Sequence, residues 1–412
     1  MTMETLKRFI LVAAALLLLS DSVSNACSAV IISGKYTADG KPLMLKVHDQ
    51  SEALQNNNVQ FFEGPVYSYV GTVSDATAPH RPEGGVSAGL NSAGLCCITL
   101  TSHCFDSDKT ARKKKVSIND FALGNCKSIE EFESKCAELI PMGTKCNMGI
   151  IDAYGAAAFF EFNGQAWTKY DVNDPSVCPD GWMCLTNHSF TGELSLGSGF
   201  DRIESAKSIM RDFKKNKDGK YEMTAQDLWN AFGRIFRNET VGVRDLDDIS
   251  NFSHFCGTGF MIHSGTCALL TFEGVPAGTD PKYTILWNQL GNPICAPVIP
   301  LLPSKVNLIP GYIWTEGAGG SELFAKSWGL RNKYIYSLDY PSGRLNYFDV
   351  AAVRKLVEVT RKAEQFTVND FYALFSKWKK GKVSDKEFYK QYTSHLPEYY
   401  KSFLSECDNA GL

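Results

Sequence analysis

A cysteine placed directly behind a cleavable leader is the feature that most restricts what this chain can become. Lys7 and Arg8 precede an apolar run over residues 9–19, a polar stretch over 20–25, and then Ala26 and Cys27. That order is the layout of a secretory leader. The apolar run is too short for a spanning helix, which takes roughly 20 residues to cross about 30 Å of hydrocarbon. Ser24 and Ala26 occupy the −3 and −1 positions of a cleavage site, so cutting after Ala26 makes Cys27 the first residue of the mature chain. A bacterial lipoprotein leader also ends before a cysteine. Its usual Leu-Ala-Gly-Cys is unlike Ser24-Asn25-Ala26-Cys27.

The remaining length, residues 27–412, carries no Pro/Gly/Ser-rich linker, composition break or repeat. The organisation expected is therefore a leader over 1–26 and one large domain over 27–412, its last part (about 301–412) a helical elaboration. A net charge of −3, with basic clusters at 112–115, 214–220 and 377–382 that lack interleaved aromatics, argues against a nucleic-acid partner. No second apolar stretch is long enough to span a bilayer, so no membrane partner is expected once the leader is gone. The oligomeric state is not legible. Thirteen cysteines in a secreted chain predict several disulfides of unassigned pairing. Sequons at Asn187, Asn238 and Asn251 predict a glycoprotein, outside the cell or in a lysosome-like compartment. No Cys-x-x-Cys or His-x-x-x-His pair suggests a metal site, and no cofactor is called for.

Short buried strands are predicted over 28–33 and 43–47, joined by a turn containing Asp39-Gly40, so that Cys27 leads a hairpin. Further strands are predicted over 94–101, 148–153, 156–162, 182–186, 266–272 and 283–287. Helical spacing appears over 117–125, 128–139, 200–213, 225–236, 350–363 and after 368. Strands and helices alternate in blocks, which favours antiparallel sheets covered by helices, a layered α+β fold.

A cysteine at a free chain end carries its own base. The α-amine titrates near 7.7–8.0 and is matched to a thiol near 8.5. No histidine partner is needed, and the Cys-Gly-Ser-Cys-Trp setting of papain-type proteases is missing. A disulfide half or an incidental chain start is the plainer reading of Cys27.

The residues that follow weigh against that plainer reading. Residues 27–49 place Gly34-Lys35, Thr37 and Asp39-Gly40 between a Cys27-led strand and a second strand ending in Asp49. This resembles the opening of linear-amide N-terminal-nucleophile (Ntn) cysteine hydrolases, closest to the penicillin acyltransferase-like peptidases of the choloylglycine hydrolase superfamily. The likeness continues through the Gly89-Leu90-Asn91 turn into Gly94-Leu95 and through the hairpin of Asn147-Met148-Gly149, Asp152 and Ala158-Phe159-Phe160-Glu161. It then takes in Thr186-Asn187, Arg202 at a helix start, and the close formed by Trp287 and Leu290-Gly291-Asn292-Pro293. It covers most of residues 27–300.

The resemblance implies a four-layer αββα sandwich of two mostly antiparallel sheets. It implies Cys27 as nucleophile, Asp49 to orient its amine, Asn187 as oxyanion donor and Arg202 beside them, cutting a small linear amide or short peptide without a cofactor. Hydrolase and acyltransferase outcomes stay open, as does a dipeptidase. Two departures motivate a rival, a catalytically impaired secreted glycoprotein that acts by binding. His48 stands where relatives carry an arginine, and Thr99 or Thr101 where they carry a second asparagine. Asn91 and Asn147 read as turn residues. The loop Asn216-Lys217-Asp218-Gly219 imitates a calcium loop but lacks the required carboxylates.

Overall fold

The computed structural model describes residues 26–50, 57–73, 85–105, 117–314, 320–338 and 346–412. The leader up to residue 25 and the basic cluster at 112–115 lie outside the described residues.

Strands β1 (Ser28–Ile32) and β2 (Leu43–Asp49) are continuous buried runs, and they pair antiparallel with Ser28 opposite Val47. Gly40, at φ 75°, turns the chain between them. The next seven strands form one antiparallel meander: β3 (Asn58–Phe62), β4 (Tyr69–Val73), β5 (Ala88–Asn91), β6 (Cys96–Leu100), β7 (Lys145–Ile151), β8 (Ala157–Asn163) and β9 (Trp167–Asp171). The first sheet is completed by β10 (Trp182–Leu185) on β1, by β12 (Thr266–Glu273) on β2, and beyond it by β13 (Ile285–Leu290) and β14 (Ile299–Leu301). A short ladder pairs β11 (His254–Cys256) with β15 (Tyr347–Asp349).

The sheets meet where β1 and β2 lie over β7 and β8. Gly149 on β7 permits this approach, because a Cβ there would come within 2.9 Å of Ile98 and 3.1 Å of Ile31. Helices α1 (Ile118–Asn125) and α2 (Ile129–Leu139) cover the outer face of the meander. There Phe132 and Leu139 join Met148, Ile150, Phe160 and Phe162 in a separate core. Helices α3 (Phe200–Arg211) and α4 (Ala225–Arg234) cover the other sheet. Helix α4 starts at a capping box, in which Thr224 and Asp227 each satisfy the other's backbone N–H. The result is a four-layer αββα sandwich of two antiparallel sheets.

The C-terminal part adds α5 (Glu322–Leu330) and a hairpin of two long helices, α6 (Val350–Lys379) and α7 (Asp385–Asn409). Helix α6 is continuous where the sequence pattern breaks after residue 363. Thr367 and Val368 are poor helix formers, but both are buried against neighbours, and packing outweighs propensity. Trp287 packs between Trp229 on α4 and Phe371 on α6, with ring centres 5.1 and 5.2 Å away, so the hairpin shares the main core.

The disulfide expectation is not met: all thirteen cysteines are free thiols, eleven of them buried. They are spread over separate cores. Neighbours Cys96 and Cys97 point to opposite faces of β6, one into the space between the sheets and the other under α1 and α2. Burial pushes both thiols well above the usual range.

Arg234 and Glu364 form a fully buried ion pair between α4 and α6, which Gln289 and the Pro293 carbonyl extend. Removing one partner strands a charge in the core. Arg234→Met is expected to cost about 3–5 kcal/mol, and Arg234→Met with Glu364→Leu to recover most of it, measured by denaturant unfolding.

Candidate active site

Cys27 lies just before β1 and is 5% exposed, with its thiol 3.8 Å from the Asp49 carbonyl oxygen. In the full chain its nitrogen is still joined to Ala26. Burial pushes the Cys27 thiol up. Among the charges Lys46 acts most strongly and in the opposite sense, Asp49 raises the value, and Arg202 lowers it. Lys46 was not a sequence candidate. It sits inside β2 on the face that meets the second sheet, buried, and its ammonium donates to the Ser87 carbonyl at 2.9 Å. Burial lowers its own pKa, against the raising effect of Cys27, Cys267 and Asp49.

Asp49 ends β2 and is fully buried. Alternation along the strand turns its carboxylate away from the face of Lys46 and His48, toward the helices. Its Oδ1 accepts from the Thr266 hydroxyl at 2.5 Å, while Oδ2 is 3.1 Å from His263 Nε2 and 3.6 Å from Arg202 Nη1. His263 comes from the loop that enters β12 and Thr266 is the first residue of that strand; sequence reasoning missed both.

Arg202 is the hub. It opens α3 behind Gly199, whose φ is 82° and whose added Cβ would lie 2.3 Å from the guanidinium. Nη1 donates to the Ala26 carbonyl at 3.0 Å and the Ser28 hydroxyl at 2.7 Å, and Nη2 donates to Asn187 Oδ1 at 2.7 Å. A planar fork with several donors suits such a site better than an ammonium would. Asn187 follows β10, is fully buried, and donates through Nδ2 to the Thr101 carbonyl at 2.9 Å. The expected oxyanion donor is thus bonded to protein on both sides of its amide. Buried and bonded in this way, Asn187 has no space for a glycan, and Asn238 is also buried, whereas Asn251 is exposed.

The loop carrying Asn187 is clamped from the β7–β8 hairpin. Asn147 donates to the His188 carbonyl at 2.6 Å and accepts from Ser189, and Glu161 accepts from the Phe190 and Thr191 amides at 2.6 and 2.9 Å. Asn147 is therefore a strand residue that holds the loop, not a turn former. Asn91 does organise a turn, accepting from the amides of Ala93 and Leu95.

His48 does not replace the expected arginine charge. It is buried, and desolvation together with nearby Lys46 moves its pKa well below the usual value, which holds the ring neutral. Lys46, two residues earlier on the same face, and Arg202 supply the positive charge. Thr99 shares the Ser87 carbonyl with Lys46 and accepts from Asn119 at 3.1 Å. The Asn216 loop is an Asx turn in which Oδ1 accepts from the amides of Asp218 and Lys220. Among the described residues, no group of three His, Cys, Asp or Glu side chains is placed to hold a metal ion.

No family model and no curated protein matches the sequence. Among solved structures, the chain is similar to a conjugated bile acid hydrolase from Clostridium perfringens, at 14% identity and a TM-score of 0.39. That match covers 68% of this chain and 93% of the hydrolase. It is also similar to a penicillin V acylase from Agrobacterium tumefaciens, at 13% identity and a TM-score of 0.41, covering 68% of this chain and 87% of the acylase.

The charge balance at Cys27 sets its reactivity. In the chain that retains Ala26, alkylation by iodoacetamide should be slow at neutral pH and rise through and above the usual thiol range, because the thiol pKa is raised. Lys46→Met removes a charge that favours the thiolate. Its pH–rate profile should move to still higher pH, with alkylation at neutral pH slowed on the order of tenfold. Quantifying the alkylated Cys27 peptide by mass spectrometry checks this, and an unchanged profile would contradict it.

Proposed function

We propose that the mature chain, beginning at Cys27, is an Ntn cysteine amidohydrolase that cuts a linear amide, with water or a second amine as acceptor. The observation that carries this reading is the contact of Arg202 Nη1 with the Ala26 carbonyl, 3.0 Å away. Ala26 is the residue whose removal frees the Cys27 amine. Its departure leaves a charged N–H donor facing the nucleophile's end of β1, where an acyl oxygen needs one.

In the reaction that follows, the α-amine takes the thiol proton and Sγ bonds to the substrate carbonyl carbon. The electron pair moves onto oxygen, opposite the freed Arg202 donor. Collapse of this intermediate breaks the C–N bond, and the α-ammonium returns its proton to the departing amine. The thioester is then attacked by water, with the amine again as base, giving a carboxylic acid and the free thiol; attack by an amine gives acyl transfer instead. Asp49 orients the Cys27 amine, and Asn187 holds Arg202 in place through its Oδ1.

The rim of the site supports an amide with an apolar substituent. Phe190 and Phe200 are 49% and 44% exposed, yet both pack on the His188 ring, with centres 5.2 and 5.1 Å away. Residues 188–200 directly follow Asn187 and lead to Arg202, and on this reading their aromatic surface would take the apolar part of the substrate. Secretion, with compartments outside the cell or lysosome-like, belongs to the same proposal, because the leader is what creates the amine.

The test begins with mass spectrometry of the secreted protein, which should show a chain starting at alkylatable Cys27. A panel of N-acyl amino acids, acyl amines and dipeptides should then show turnover, fastest with apolar acyl groups, and rapid quenching should trap an acyl mass on the Cys27 peptide. Cys27→Ala should lose at least about a thousandfold in kcat. Retained turnover in that variant, or a blocked Cys27, would overturn the reading.

A further inference from the structure

We propose that His263 is a positioning residue for this reaction: an N–H donor that, with Thr266, fixes the orientation of the Asp49 carboxylate. The inference rests on the reading of Cys27 as nucleophile. His263 Nδ1 accepts from the Gly265 backbone N–H at 3.0 Å. An amide N–H can only donate, so the proton of the neutral ring sits on Nε2, the atom 3.1 Å from Asp49 Oδ2. The approach is oblique. Oδ2 accepts no fully aligned hydrogen bond while Ala26 is in place, which leaves it lone-pair capacity for the Cys27 amine. The other carboxylate oxygen is fixed where that loop enters β12. The Thr266 hydroxyl accepts from the His263 backbone N–H at 2.9 Å, which leaves its hydrogen to point at Asp49 Oδ1, 2.5 Å away.

These contacts decide which group sets the angle of the carboxylate. At 3.6 Å, Arg202 Nη1 is beyond ordinary hydrogen-bond distance from Oδ2, and the same nitrogen is already shared between Ala26 and Ser28. Arg202 contributes charge to Asp49, Thr266 contributes the directed bond, and His263 places the nearest N–H, 3.1 Å away, beside Oδ2. The loop has its own supports. Thr266 N donates to the His263 carbonyl at 3.0 Å, Arg331 donates to the Ser264 carbonyl, and Asn346 Oδ1 accepts from Ser264 N at 2.9 Å. Arg331 in turn stacks on Trp328 and Tyr336, at 4.3 and 4.6 Å from the ring centres. The C-terminal elaboration thereby reaches the catalytic carboxylate through His263. A carboxylate that must hold an α-amine against a thiol depends on its angle, since an error of about 1 Å can cost up to a hundredfold.

The experiment uses the mature chain and three variants. His263→Gln keeps a donor of similar reach, His263→Asn is polar but too short, and His263→Leu removes the donor. Two readouts are taken, kcat and KM on the best amide of the panel, and the rate of iodoacetamide alkylation at Cys27, which needs no substrate. Thermal melting verifies that each variant is folded. The expected result is a fall of about tenfold or more in kcat and in alkylation rate for Asn and Leu, with KM within about twofold, and recovery by Gln to within about threefold of the parent chain. In an Asp49→Asn background, His263→Asn should cause no further loss, because the residue acts through Asp49.

Equal rates in Gln and Asn would overturn the proposal, as would a full additional loss on the Asp49→Asn background. The Gln/Asn comparison remains decisive if Leu fails to fold. A chain in which Cys27→Ala still turned over substrate would refute the nucleophile assignment, whereas the alkylation arm reads His263 separately.

Discussion

The buried guanidinium of Arg202 is the interaction on which the rest of the site depends. One side chain reaches the carbonyl of Ala26, the hydroxyl of Ser28, the amide oxygen of Asn187 and the neighbourhood of the Asp49 carboxylate. These groups come from the leading end of β1, the end of β2 and the loop after β10, and Arg202 itself from the start of α3. A buried cation is costly unless every donor is matched and a counter-charge is close. Here Asp49 provides the charge and three neutral oxygens take the directed bonds. The requirement runs both ways, since a chain that buries this arginine must also bring the leading end of β1 to it.

Much of the surrounding architecture serves to keep those four segments in register. Gly149 lets the sheets approach so that β1 and β2 lie over β7, and Gly199 has no side chain to collide with the guanidinium. Asn147 and Glu161 use strand-borne polar groups to fix a loop that has little regular backbone pairing of its own. A buried loop must have its amides and carbonyls bonded by something, and side chains projecting from a rigid sheet are the most precise source. The Arg234–Glu364 pair does the corresponding task at longer range, binding α4 to α6 where the helices meet the outer face of the first sheet.

The layers were legible in the sequence, and the proposed nucleophile was suggested by it, because both leave local signals. Continuous apolar runs such as residues 28–32 have no other use than a buried strand, and a small-residue cleavage site before Cys27 is a linear pattern. Strands β3, β4 and β5 are not marked in the sequence because they are short and mix Asn, Gln, Gly and Thr with apolar residues. A strand in a meander is stabilised by its neighbours more than by its own composition. Lys46 did leave a trace, a lysine within the otherwise apolar Leu43–Val47 stretch. Its meaning depended on which face it took, and the alternation that turned Asp49 toward the helices also put Lys46 toward the second sheet. His263 left no trace, because its partner Asp49 is distant in sequence and the loop between β11 and β12 follows no pattern. The missing disulfides have a different cause. The count of cysteines was informative about compartment only if they faced one another, and the fold sends adjacent ones into different cores.

The charges around Cys27 also clarify what the departures at His48 and Thr99 mean. An arginine beside a nucleophile holds its charge in any setting, whereas the pKa of Lys46 is lowered by burial, and His48 is held neutral. The thiol is thus flanked by two cationic side chains, Arg202 and Lys46, the second with its pKa lowered by burial. With Ala26 in place, burial dominates and the thiol stays protonated and quiet. If Ala26 is removed as proposed, the freed Cys27 nitrogen would place a base next to the thiol and release a donor on Arg202. On the proposed reading, a single bond cleavage would convert a buried, protonated cysteine into a nucleophile with a proton acceptor beside it and an oxyanion donor on Arg202.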